Sequence, residues 1–260
     1  MNVVDPSIHS DEETISRWFP MLQANQKKTR LTLICFPHAG GDVINYWPWE
    51  QTLSPNIELR GVSLPGKYGR SREKALPNFS LAVDALERTV RPLLHRPYAL
   101  FGHSMGALLA FELARRLQGL GLPPVRLFVS GMKAPQLYNV DPVNSALDDA
   151  GLIELLRDLN GTPEEMLLVP EMMRLILPAL RQDLALCDSY EYVRASPLEC
   201  PVSVFAGRHD DANPDAIDAW HNVAANPCKI RWFDGGHMFL NEFRAPVLRF
   251  LLDDLRDHLT

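Results

Sequence analysis

The chain has 260 residues, 46% hydrophobic and 22% charged, an ordinary globular balance that excludes disordered, collagenous and other fibrous classes. Its 26 Lys and Arg against 32 Asp and Glu leave a formal charge of −6, which gives a polyanion no electrostatic hold and excludes nucleic acid as the main ligand. Four widely spaced cysteines, Cys35, Cys187, Cys200 and Cys228, form no C-x-x-C pair and read as free thiols of a reducing compartment.

Residues 1–28 form an N-terminal extension. Asp5, Asp11, Glu12 and Glu13 stand where an export signal would place positive charge, so no leader is expected. No uncharged apolar stretch reaches the ~20 residues of a membrane span, and the expected location is the cytoplasm. Trp18, Phe19 and Met21 are expected to pack on the body of the protein. Six short apolar runs then recur, at 31–36, 57–62, 98–101, 125–130, 202–206 and 229–233. Most are too continuously apolar for half-exposed strands. Helical spacing fills the gaps at 80–94, 105–117, 214–225 and 244–258, and this alternation predicts a mostly parallel sheet with helices on both faces. One gap breaks the rhythm. Some seventy residues separate the fourth and fifth strands, with helical patterns at 145–159 and 170–190, longer than one crossover requires. The economical division is a core of 29–134 and 199–260 and a helical insertion of 135–198, a candidate lid; the alternative is extra helices extending the core.

The chemistry begins at Gly102-His103-Ser104-Met105-Gly106, a G-x-S-x-G set between an apolar strand and an apolar helix. Ser104 there sits on a tight strand-to-helix turn, where the glycines avoid side-chain clashes and the Met105 amide opens a helix N-terminus toward a developing oxyanion. A serine hydroxyl is a weak nucleophile and requires a base that is itself oriented by a third group. His237, in the Gly-rich turn Gly235-Gly236-His237 after the last strand, is the base of choice. His103 should point away from the hydroxyl. His221 lies on a predicted helix, and His9, His95 and His258 read as surface residues. The orienting acid falls in Gly207-Arg208-His209-Asp210-Asp211, at the carboxyl end of the fifth strand. Asp210 is the choice and Asp211 its rival. No metal-ligand motif and no cofactor motif accompanies them. The order Ser, Asp, His is that of an α/β-hydrolase fold, and Pro37-His38-Ala39-Gly40-Gly41 after the first strand offers the Ala39 amide as second oxyanion donor.

Four landmarks in order, Cys35 through Gly41, Leu64-Pro65-Gly66, Gly102 through Gly106 and Phe233 through Phe239, resemble the type II thioesterases that accompany polyketide synthases and non-ribosomal peptide synthetases. The resemblance implies a helical lid between the sixth and seventh strands. It also implies hydrolysis of acyl thioesters on the phosphopantetheine arm of acyl or peptidyl carrier proteins, freeing carriers blocked by aberrant or stalled groups. Where those relatives often carry Arg after Leu-Pro-Gly, this chain has Lys67. Because carrier proteins are commonly acidic around the prosthetic group, Lys67, Arg70, Arg72, Lys74, Arg174 and Arg181 are candidates for a basic docking face. Met166, Leu167, Met172, Met173, Leu177 and Leu180 are candidates for an acyl chamber or for core. A general esterase acting on free small molecules, or a non-catalytic binding protein of the same fold, are the alternative readings.

Overall fold

The computed structural model describes residues 13–20, 29–53, 55–139 and 143–259; Met21 lies outside them. Six strands, β1 (Leu31–Phe36), β2 (Ile57–Gly61), β3 (Tyr98–His103), β4 (Arg126–Ser130), β5 (Val202–Gly207) and β6 (Lys229–Phe233), form one sheet in the order β2-β1-β3-β4-β5-β6. Every pairing is parallel. Strand β3 runs two residues past the apolar run, because Gly102 and His103 continue the register opposite Val129 and Ser130.

Alternating side chains divide the interior between the two faces, the period of two that a strand imposes. Ile34, Phe36, Leu100 and Val129 point to one side, against helices α1 (Phe79–Val90) and α2 (Met105–Gly119). Leu33, Cys35, Phe101 and Phe205 point to the other, against Tyr46, Trp49 and helix α5 (Arg244–Leu255). The central strands β1, β3 and β5 are buried at every position, whereas β6 is mostly half-buried because it lies at an edge. The other edge, β2, places Glu58 and Arg60 in the interior, and Arg96 approaches the same carboxylate at 3.5 Å. From the N-terminal extension, Trp18 and Phe19 are buried on the body as expected, and the Trp18 carbonyl accepts from Ser63 N–H at 2.8 Å.

Between β4 and β5 lie α3 (Asp149–Leu159), a one-turn helix Glu164–Leu167 and α4 (Pro170–Asp188). Asp148 caps α3 by accepting from Gly151 N–H, and Asn160, in the left-handed region, ends it. These helices share their own apolar cluster of Leu152, Leu156, Leu167, Met173, Leu177 and Leu180. The resemblance placed this insertion after a sixth strand; among the described residues it follows the fourth, because the sheet opens at Leu31 without an earlier strand pair.

All four thiols are free: Cys35, Cys187 and Cys200 are buried and Cys228 half-buried. Burial pushes them upward, Cys35 well above its ordinary value, Cys187 to about 12, and Cys200 and Cys228 to about 11.

Candidate active site

Four loops at the carboxyl ends of β1, β3, β5 and β6 meet where the sheet order reverses, β1 adding β2 on one side and β3 on the other, the place where open parallel sheets form a crevice. Ser104 stands between β3 and α2 with φ +54° and ψ −123°, a left-handed conformation that a side chain adopts only when its surroundings enforce it. They do so on both sides. The Ser104 N–H donates to Ser130 at 2.8 Å, and its carbonyl accepts from Ala107 at 2.8 Å. The two flanking glycines let the backbones touch: a Cβ on Gly102 would lie 2.0 Å from the Gly106 carbonyl oxygen, and one on Gly106 would lie 2.1 Å from that of Phe36.

The structure brings Ser104, His237 and Asp210 together from across 133 residues of chain. Ser104 Oγ lies 2.9 Å from His237 Nε2, and both Asp210 carboxylate oxygens lie 3.1 Å from His237 Nδ1. With Nδ1–H donating to the carboxylate, Nε2 is left as acceptor for the serine proton. Asp210 Oδ1 also accepts from Asp211 N–H at 2.8 Å, while Asp211 itself is exposed. The rival thus serves through its backbone. Asp210→Asn is expected to lower kcat about 10⁴-fold by favouring the wrong imidazole tautomer, with Asp211→Asn within about threefold of the parent; equal losses in steady-state assays of the two variants would contradict this geometry.

His103 turns away from Oγ, as its place at the turn dictates, and its Nδ1 meets Ser130 Oγ at 3.0 Å. Its ring packs 5.2 Å from that of His237 and 6.2 Å from that of His38. Burial holds both flanking imidazoles below their ordinary range, His38 down to about 4, with the neighbouring charges of Lys67 and His237 acting in the same direction on His38. At neutral pH they are uncharged neighbours of His237. His209 pairs instead with Asp234 on the surface. No group of three or more His, Cys, Asp or Glu able to hold a metal ion occurs among the described residues.

Met105 is the first residue of α2, so its N–H has no partner within the helix. Ala39 lies in the loop after β1, adjacent to β3 in the sheet, and its N–H meets no protein acceptor among the described residues. Two of the expected docking residues do not belong to a surface. Lys67 and Arg70 are buried, Lys67 against Asp183 and Arg70 against Glu73 and the Trp18 ring, because a carboxylate supplied by the fold neutralises each. Arg72 and Lys74 are exposed. Arg174 pairs with Glu171, and Arg181 with Asp149 and two backbone carbonyls. Of the six apolar candidates, Leu167, Met173 and Leu177 border a cavity of about 780 Å³ beside α3 and α4, whose walls include neither Ser104 nor His237.

The thioesterase domain family matches residues 31–255. The chain is 36% identical over 244 residues to gramicidin S biosynthesis protein GrsT of Aneurinibacillus migulanus, covering 93% of this chain and 95% of that one. Among solved structures, RedJ, the thioesterase of the prodiginine pathway in Streptomyces coelicolor, superposes with a TM-score of 0.82 at 34% identity, over 98% of this chain and 97% of RedJ. The type II thioesterase BorB of the borrelidin cluster gives 0.81 at 36% identity, over 86% and 92%.

Proposed function

The chain belongs to the thioesterase domain family, and from that premise we propose that it hydrolyses acyl thioesters held on the phosphopantetheine arm of acyl or peptidyl carrier proteins. Its task is the removal of aberrant or stalled acyl groups in polyketide or non-ribosomal peptide assembly. The observation that carries the chemistry is the continuous hydrogen-bonded path from Ser104 Oγ through His237 to Asp210. The similarity to GrsT, RedJ and BorB over most of each chain supports the substrate class.

In this reading Ser104 Oγ attacks the thioester carbonyl carbon while His237 Nε2 takes the hydroxyl proton. The oxygen of the tetrahedral intermediate gathers negative charge, which the Ala39 and Met105 amides meet as hydrogen-bond donors. Collapse breaks the carbon–sulfur bond, and the proton on His237 passes to the departing pantetheine thiol. A water molecule then gives its proton to His237 and attacks the acyl-serine ester, releasing the carboxylic acid and restoring the Ser104 hydroxyl. Asp210 keeps the imidazole in the required tautomer throughout and stabilises its cation. The helices of 135–198 are the cover over this site, and the carrier's acidic surface meets what remains exposed of the basic loop, Arg72 and Lys74.

Acyl release from an acyl-phosphopantetheinyl carrier protein, compared with matched free acyl thioesters and oxygen esters, tests the assignment. The expected result is a kcat/KM for the carrier-bound acyl group at least about tenfold above that for either free ester. Equal or faster cleavage of free oxygen esters would move the protein to the general esterases.

A further inference from the structure

The loop that carries Ala39 is held by side chains from two distant segments. Gly41 N–H closes the turn on His38 at 2.9 Å, and three of the remaining polar backbone atoms are met from outside. Gly40 N–H donates to Asp183 Oδ2 at 2.8 Å; the Gly40 carbonyl accepts from Tyr68 Oη; the Gly41 carbonyl accepts from Lys67 Nζ at 2.8 Å. Lys67 Nζ and Asp183 Oδ2 lie 2.5 Å apart, with the two side chains 1% and 5% exposed. Tyr68 reaches Gly40 from a left-handed backbone conformation, φ +48°, which a tyrosine does not adopt unenforced. Ala39 itself packs on the apolar cluster of the inserted helices, which includes Leu180, one turn before Asp183 on α4.

A buried ion pair is a poor source of stability compared with apolar side chains of equal volume, because desolvation of both charges offsets their attraction. What such a pair supplies here is geometry. It fixes a donor and an acceptor on consecutive residues, next to the Ala39 N–H, which meets no protein acceptor among the described residues.

We propose that Lys67, Tyr68 and Asp183 are positioning residues of the oxyanion hole, setting the Ala39 amide against the carbonyl attacked by Ser104 and tying that donor to helix α4. The proposal rests on the reading of Ala39 as an oxyanion donor. Its consequence is that the cover and the loop are one mechanical unit: displacement of α4 pulls on Gly40 through Asp183.

The test uses Lys67→Met, Asp183→Asn and Tyr68→Phe, the last removing a single hydroxyl and keeping the ring, so that it folds even where the charge variants do not. Two quantities are read for each, kcat against KM on a short acyl thioester and the inhibition constant of an acyl trifluoromethyl ketone, which forms a tetrahedral adduct with a reactive serine. A misplaced oxyanion donor lowers kcat by about 10- to 100-fold for the charge variants and about 3- to 10-fold for Tyr68→Phe, leaves KM within about threefold, and weakens the ketone in parallel with kcat. Lys67→Arg, which retains a cation beside Asp183, is expected to recover most of the loss. The proposal is overturned if kcat in the folded variants stays within twofold of the parent, or falls while the ketone binds as before. Ser104→Ala separates the two levels: full turnover by that variant removes the serine reading and this proposal together, whereas an inactive Ser104→Ala beside unaffected Tyr68→Phe and Asp183→Asn removes this proposal alone.

Discussion

Ser104→Ala is expected to lower kcat for acyl-thioester hydrolysis by about 10⁶-fold, the loss that follows when a nucleophile acting in a relay is removed. The substitution deletes Oγ and nothing else. Alanine keeps the Cβ that the left-handed backbone already accommodates, and the bonds to Ser130 and Ala107 are made by the main chain. The variant should therefore retain the thermal midpoint of the parent while losing both turnover and covalent labelling by a serine-directed fluorophosphonate. Labelling that survives in the alanine variant would place the reactive serine elsewhere.

Gly106→Ala is expected to destabilise the fold strongly. The added methyl would lie 2.1 Å from the Phe36 carbonyl oxygen and 2.7 Å from that of Pro37, both backbone atoms with no rotamer through which to retreat. Accommodating it requires β1 and α2 to separate at the point where the Ala39 loop leaves the sheet. A cost of about 3 kcal/mol or more is expected, which for a domain of this size is a fall of roughly 10 °C in thermal midpoint. Gly119→Ala is the matched control, since a Cβ at that helix end meets nothing within 4 Å. Circular-dichroism melts of the two variants decide the point, and a parental midpoint for Gly106→Ala would refute the packing argument.

The sheet was legible because each strand is a short apolar run bounded by turn residues, and buried parallel strands need that composition. All six runs become strands, and the segment 214–225 is less regular than its spacing implied, breaking after Pro214–Asp218 into a tighter turn of helix, while 80–94 and 244–258 also tighten at their ends, over Arg91–Leu93 and Arg256–His258. The elbow was legible for a local reason, since its glycines, serine and flanking elements are adjacent in sequence. Lys67 was misplaced because burial of a cation depends on a carboxylate elsewhere: Asp183 is 116 residues from Lys67, and no local pattern joins them, whereas Arg70 is covered by Glu73 three residues on and by the distant Trp18 ring. One signal was present. Along α4 the buried stripe runs through Met173, Leu177, Leu180, Asp183 and Cys187, and a carboxylate within an apolar stripe calls for a buried partner. The choice between Asp210 and Asp211 depended on the direction of side chains at the end of β5, which neighbouring positions in a loop do not encode.

The state of the four cysteines has a chemical consequence for a protein that handles activated acyl groups. Thioesters exchange readily with thiolates, so an ordinary surface cysteine would compete for the acyl group and retain it. Burial pushes all four thiols above their ordinary value, which disfavours the thiolate, and three of the four lie in the interior. Self-acylation at sulfur is thereby disfavoured, and an arriving acyl chain meets little thiolate to take it by transthioesterification.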